Sequence, residues 1–364
     1  MLKHFFFIAL CLFMFACKNA KNEFNSLKNN EIKYAKTLQM EKDGENTKIH
    51  IINPESKKVY KYYVFKEKNA TVPKGYIGLK CPIDRGIMLS ATHIGMLSKI
   101  EGLSMIVGVS NSKYVYNEQL KQAIAEGRVK SMGDEGFISL ESIIQTKAQI
   151  IVYSAFNSEF QDQDRLEKLG IICIPNFDWK ETHPLGKAEW IKFFGVLVNQ
   201  EDRAEKYFKQ IERNYNELKT QAKKISKYPS VFSGNMMGGY WYTPGGSSYQ
   251  AQFYHDAQIN YKYSNTTEIG SIALGLEKVL KENKKTEYWL DPGESSIESI
   301  LHKSPKLEHL DAVQKKNVYC YSHEINRYWE LSAIEPDHIL SDLLQIFHPD
   351  TFNRFPLYFY RKLN

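Results

Sequence analysis

Two α/β lobes joined by one long helix are what these 364 residues predict. Three observations carry the prediction. Short apolar runs alternate with helical stretches twice, once from Arg85 to Pro175 and again beyond Pro229. Between them, Gln200 to Lys224 contains no glycine or proline and carries an apolar stripe at helical spacing. Ahead of them, period-two segments announce a separate β extension. Short apolar strands with helices between them make mainly parallel sheets covered on both faces, which is the α/β class.

The elements follow in chain order. Lys3 precedes an apolar run, Phe5 to Phe15, that ends at Ala16-Cys17. A basic start, an apolar stretch too short to span a bilayer and a small residue before the break describe an export signal. Residues 18–30 are polar and rich in Asn and Lys, as expected of a flexible tether. Lys18, Lys21, Lys28, Lys33 and Lys36 could lie near anionic head groups or simply in solvent. Thr47–Ile52 and Val59–Phe65 alternate with period two around Asn53-Pro54-Glu55, which reads as a β-hairpin.

In the first lobe Ile87-Met88-Leu89, Met105–Val109, Ile150–Tyr153 and Ile171–Pro175 read as strands. Helices are expected after His93 to Ile100, at Leu140–Ile144 and near Arg165–Lys168. A short helix over Ala188–Leu197 leads into the long one. There Ala204, Phe208, Ile211, Tyr215, Leu218 and Ala222 step by four and three, and 25 residues span about 38 Å. In the second lobe Val231–Ser233, Tyr288–Leu290 and Val318–Tyr321 read as strands. Helices are expected near Leu276–Asn283, Ile297–Leu301 and Asp337–Phe347.

Composition narrows the function. Net charge is +6, with no arginine-rich stripe of the kind that follows nucleic acid. Aromatic content is 13%, more than packing requires, and ligand clefts favour aromatics. No second apolar run near 18 residues follows the first. Cys81, Cys173 and Cys320 show no C-x-x-C spacing. Cys173 and Cys320 sit in apolar runs as small hydrophobes, and a disulfide at Cys81 stays open. There is no G-x-S-x-G, no H-E-x-x-H and no phosphate-cradling loop, so catalysis is not expected. His93, His183 and His323 fall in three regions and could converge on a bare divalent metal, but there is no histidine-rich loop. His302, His309, His338 and His348 read as surface or capping residues.

Parallel α/β sheets take ligands outside the carboxyl ends of their strands. In the first lobe that rule selects Ser90, Thr92, His93, Tyr114, Tyr116, Phe156, Asp178 and Trp179. In the second it selects the run Met236-Met237-Gly238-Gly239-Tyr240-Trp241-Tyr242, whose glycines permit close approach and whose rings offer flat faces, and Arg327, Tyr328 and Trp329. The set expected at a ligand is Thr92, His93, Tyr116, Trp179, Tyr240, Trp241, Tyr242, Arg327 and Trp329. Aromatic walls with a cation suit a large planar or anionic chelate, and Arg327 would grip a carboxylate or catecholate with two hydrogen bonds. Packing of these rings within loops is the plainer alternative.

Two resemblances sharpen this. Ala16-Cys17 with Lys18-Asn19 resembles the lipobox of bacterial lipoproteins, although Met14 and Phe15 depart from its usual pattern. It implies that Cys17 is acylated and becomes the mature N-terminus; a plain secretory signal is the alternative. From about Arg85 to Pro349 the chain resembles the substrate-binding lipoproteins of ABC importers for iron–siderophores, haem and cobalamin. The matching strings are Ile87–Leu97, Ile106–Ser110, Gly133-Asp134, Ser139–Ile143, Ala148–Val152, Asp178–Lys192, Phe232-Ser233-Gly234 and Tyr242–Tyr249, the last ones in the form of Bacteroidetes-type members.

The resemblance implies a ligand cleft between lobes with little hinge closure, no catalysis, no resident cofactor and an Fe(III) chelate as cargo. It also implies partners: the ABC permease, its ATPase subunits and the membrane, with a monomeric binding protein facing the periplasm or the outside. Glu141 and Glu277 occupy the positions that dock on permease arginines, where charge pairs steer association and fix register. Cobalamin or haem as cargo, or surface capture without a permease, are the alternatives. The resulting division is signal peptide 1–16, lipidated tether 17–35, β extension 36–80, lobes 81–186 and 228–364, and linking helices 187–227.

Overall fold

The computed structural model describes residues 27–134, 137–156, 159–321, 327–353 and 356–364. The stretch expected to be an export signal, Cys17 and His323 lie outside the described residues. No helix among those described is long and apolar enough to cross a membrane.

The β extension is larger than a hairpin. Strands β1 (Leu38–Asp43), β2 (Asn46–Ile52), β3 (Val59–Phe65) and β4 (Ile77–Lys80) form one sheet in that order. The expected hairpin is β2–β3, with Thr47 opposite Val64; β1 adds antiparallel and β4 parallel. Leu38, Met40, Ile49, Ile51, Tyr62 and Val64 join the main hydrophobic core, so the sheet is part of the folded body.

The first lobe holds β5 (Gly86–Met88), β6 (Ile106–Val109), β7 (Lys130–Ser131), β8 (Ile150–Tyr153) and β9 (Ile172–Pro175) in the order β7-β6-β5-β8-β9, all parallel. The winding reverses between β5 and β8, and such a switch point opens a crevice at the strands' carboxyl ends. The second lobe holds β10 (Ser230–Ser233), β11 (Asn235–Met237), β12 (Tyr240–Pro244), β13 (Asn260–Tyr261), β14 (Ser271–Leu274), β15 (Tyr288–Leu290), β16 (Val318–Tyr321) and β17 (Tyr360–Lys362). Its main sheet runs β13-β10-β15-β16-β17, parallel except for β17, beside a small antiparallel sheet β11-β12-β14.

The linking helix runs Glu201–Ala222 and buries Ala204, Phe208, Ile211, Tyr215 and Ala222. It packs on helix Ile191–Leu197 and on helix Pro336–Phe347 of the second lobe, which supplies Ile339, Leu340, Leu343, Leu344 and Phe347. The short helix expected over 188–197 is two, Pro184–Glu189 and Ile191–Leu197, divided at Trp190. The first starts early because Pro184 sits in its first turn and the His183 Nδ1 accepts the Leu185 N–H at 3.0 Å.

The expected tether over 17–35 is fixed at its C-terminal end. The carboxylate of buried Glu189 accepts the backbone N–H groups of Lys33, Tyr34 and Ala35 at 2.7–3.1 Å. Buried Glu181 accepts those of Lys36 and Thr37. Lys33 pairs with Glu212 on the linking helix at 2.6 Å rather than facing lipid. Cys81, Cys173 and Cys320 are free and buried, which answers the question left open at Cys81, and burial pushes its thiol up to about 12.

Candidate ligand cleft

The helix Ala91–Lys99 begins where β5 ends, so its first turn stands at the switch point. Ser90 caps it: the Ser90 Oγ accepts the Thr92 N–H and lies 3.0 Å from the Thr92 Oγ1. Asp178, just past β9, hydrogen-bonds with the Thr92 side chain and is 2% exposed. Burial raises its pKa, with Lys187 and Thr92 acting the other way, and its Oδ2 has no partner. Phe156 after β8 and Trp179 after β9 form a shelf, ring centroids 4.7 Å apart. The Lys180 ammonium covers the Trp179 ring at 4.4 Å, while the indole N–H is buried without a partner. Tyr114 is exposed and Tyr116 half-buried after β6.

Opposite, Tyr321 ends β16 and lies flat on Tyr328, centroids 3.8 Å apart, with Trp329 edge-on to both. Trp329 is 42% exposed. Asp291, just after β15, has an enclosed Oδ1 without a partner. Burial pushes its carboxyl up to about 7, against one hydrogen bond from the Tyr360 hydroxyl. Tyr240 and Tyr242 share the open face of strand β12.

Two expected ligand residues belong to the core. Trp241 is 1% exposed, packs on Trp289 and Phe232, and donates its indole N–H to the Ser233 carbonyl at 3.0 Å. The physical reason is strand alternation. The glycine-containing run is the hairpin β11–β12, closed by Gly238-Gly239 at φ +57° and +85°, which the twist of a two-residue turn demands. Tyr240 and Tyr242 therefore face out and Trp241 inward. His93 is fully buried on the inner face of its helix, against Phe194, with both ring nitrogens unpartnered and its pKa pushed down to about 3. His348, expected at the surface or at a cap, is buried between the helices Pro336–Phe347 and Pro349–Phe352, at the cap position of both, and its Nε2 lies 2.8 Å from the Ala257 carbonyl oxygen. His183 supports the fold by capping its helix and stacking on Tyr34.

Arg327 stands at the lobe interface but is not a free cation. Its guanidinium pairs with fully buried Glu330 at 2.7 Å. The same carboxylate accepts the N–H groups of Tyr116 and Asn117 from the first lobe at 2.6 and 2.8 Å. Nearby, helix Ala91–Lys99 touches helix Tyr328–Leu331 at Gly95, where a Cβ would stand 1.7 Å from the Glu330 carbonyl oxygen. The structure thus brings Tyr116 and Arg327 together, and Thr92 with Asp178. Lys187, Tyr249, Asp291 and Glu330 escaped sequence reasoning; Asp291 could have been found because it follows a strand end, and Glu330 because it stands three positions after Arg327.

Glu141 and Glu277 are exposed, each in the first turn of its helix, Leu140–Gln145 and Leu276–Asn283. Glu277 pairs with Lys306 at 2.7 Å, both solvent-facing. Among the described residues no group of three His, Cys, Asp or Glu could hold a metal ion.

Two α/β lobes on one linking helix, each with aromatics just past its strand ends, are the architecture of a bilobal binding protein. Residues 87–324 match the family described as "Periplasmic binding protein", and the chain belongs to that family. It is similar to an uncharacterized lipoprotein of Methanocaldococcus jannaschii, 27% identical over 362 residues, covering 92% of this chain and 85% of the relative. Its fold is shared by a periplasmic heme-binding protein of Pseudomonas aeruginosa, TM-score 0.59 at 17% identity, covering 77% of this chain and 98% of that one. It is also shared by a possible iron-binding, periplasmic solute-binding protein of Staphylococcus epidermidis, TM-score 0.56 at 18% identity, covering 74% and 100%.

Proposed function

We propose that this chain is a lipid-anchored binding protein that captures an iron chelate between its lobes and hands it to an ABC importer. The observation that carries the reading is that each lobe sets packed rings just past its strand ends, the Phe156–Trp179 shelf in the first and Trp329 beside the Tyr321–Tyr328 stack in the second. Flat rings on both sides suit a large, rigid chelate. Thr92, Tyr116, Trp179, Tyr240, Tyr242, Arg327 and Trp329 are the proposed contacts, with Arg327 held in place by Glu330. Cys17 would carry the lipid, facing the protein outward from the membrane. Glu141 and Glu277 would meet the permease.

Trp179 and Trp329 are the partly exposed tryptophans, whereas Trp190, Trp241 and Trp289 are buried. Quenching by contact with a ligand therefore falls on these two, over a background from the three buried rings. Titration of the protein lacking its export segment with ferric siderophores, haemin and cobalamin should give saturable quenching by one class. Trp179→Ala should remove a large part of that quenching, leaving the Trp329 share, and weaken binding about tenfold, in keeping with the loss of one stacked ring. Silence across all three classes sinks the reading.

A further inference from the structure

Arg327 was the cation expected to hold an anionic ligand, and it is already paired. A second cation lies deeper. Lys187, on helix Pro184–Glu189, is only 9% exposed. Its ammonium has no carboxylate within ion-pair distance among the described residues; it sits over the ring of Tyr249 at 4.5 Å. A buried charge with no carboxylate in direct contact is costly, and a π face offsets little of that cost.

The surroundings place this charge between the two sets of strand ends. On the first-lobe side Lys187 acts on Asp178, which hydrogen-bonds with Thr92 beyond β5. On the second-lobe side the Lys187 helix packs against helix Tyr249–Asp256, which Tyr249 opens. Two buried polar atoms on the turn Asp178–Lys180, which packs against the Lys187 helix, lack partners: Asp178 Oδ2 and Trp179 Nε1. An enclosed carboxyl oxygen and an indole N–H without partners, on a turn packed against the helix that carries a buried ammonium, are polar groups that a ligand can complete.

We infer that Lys187 receives an anionic oxygen of the ligand, a carboxylate or catecholate, on the floor of the cleft, with Trp179 and Asp178 as its polar neighbours. This rests on reading the cleft as the ligand site. The aromatic rim then accepts the body of a chelate, and Lys187 selects for negative charge. Neutral hydroxamate chelates lack the group it would neutralise.

The test uses calorimetric titration of wild type and Lys187→Met with three probes: metal-free citrate, ferric citrate and a neutral ferric hydroxamate. Thermal unfolding without ligand checks that the variant folds, and Lys187→Gln replaces it if it does not. The expected result is a loss of at least tenfold for citrate or ferric citrate in the variant, with any hydroxamate binding changed less than twofold. Equal anion binding by both proteins overturns the inference. So does a wild type that binds no anion; the cleft reading then survives if the hydroxamate, haemin or cobalamin binds. Lys187-dependent binding of metal-free citrate with no chelate bound would sustain the inference and remove the chelate reading.

Discussion

Glu330 and Arg327 form an ion pair that also joins the lobes. The guanidinium donates from Nε at 2.8 Å and lies at 2.7 Å through Nη2, both to Oε2, while Oε1 accepts two backbone N–H groups across the interface. One buried carboxylate thus satisfies the loop after β6 and fixes the residue that opens the helix Tyr328–Leu331. Arg327 adopts φ +53°, uncommon for a residue with a Cβ, and the pair helps hold it there. The lobes are therefore tied through side chain and backbone as well as through the linking helix.

Removing that carboxylate should loosen the interface. Glu330→Ala leaves a guanidinium and two amide N–H groups without their acceptor, and breaking a buried pair from one side costs about 3–5 kcal/mol. Denaturant unfolding should show that loss, and Glu330→Gln, which keeps one acceptor, should lose less. An Ala variant as stable as the parent would mean the tie is redundant.

The N-terminal strap gives a second expectation. Glu189→Ala leaves three buried or half-buried backbone donors unpaired and deprives Lys192 of one partner at 3.2 Å. Trypsin should then cut at Lys33 and Lys36 several times faster, read by mass spectrometry, with a stability loss of about 2–4 kcal/mol. Cleavage at the parent's rate would show that Glu181 alone retains the segment.

Much of the fold was legible because local periods carry it. The four-three stripe of Ala204 to Ala222 fixed the linking helix to within two residues of its ends, and alternation in Thr47–Ile52 marked β2. The site was harder. Tyr240-Trp241-Tyr242 is aromatic at every position, so the alternation that buries the middle ring leaves no trace in polarity. Arg327 looked free although Glu330 lies only three positions on; what the sequence hides is that this carboxylate also meets the first lobe more than 200 positions away, which buries the pair. Lys187 looked like one more surface lysine; only the closing of Tyr249 over it, 62 positions on, reveals its burial.

Asp291 sets a pH dependence. Its ordinary value is 3.8 and the fold raises it to about 7, so the folded state holds a proton that the unfolded chain has already lost. Stability from this group is therefore full below pH 4 and falls as pH rises toward 7, by on the order of 2–4 kcal/mol. Asp291→Asn should abolish that decline and leave the variant more stable than the parent at pH 8. Asn tolerates the φ of +59° found there. Parallel pH–stability curves for the two proteins would show that Asp291 titrates normally.

The exposed carboxylates Glu141 and Glu277 give the last expectation, since neither has a structural duty that its loss would betray. Glu141 accepts one hydrogen bond from Gln145 at 3.2 Å, and Glu277 makes one solvent-facing pair with Lys306. Exposed pairs of that kind are worth about 0–1 kcal/mol, so Glu141→Lys with Glu277→Lys should leave folding and ligand affinity within twofold of the parent. If both carboxylates meet arginines of a permease, the double reversal sets like charges against each other and should cut ligand import at least tenfold, with each single variant intermediate. Uptake of labelled chelate by cells carrying the double variant decides it: undiminished import with normal binding would mean that the captured ligand passes to something other than an ABC permease.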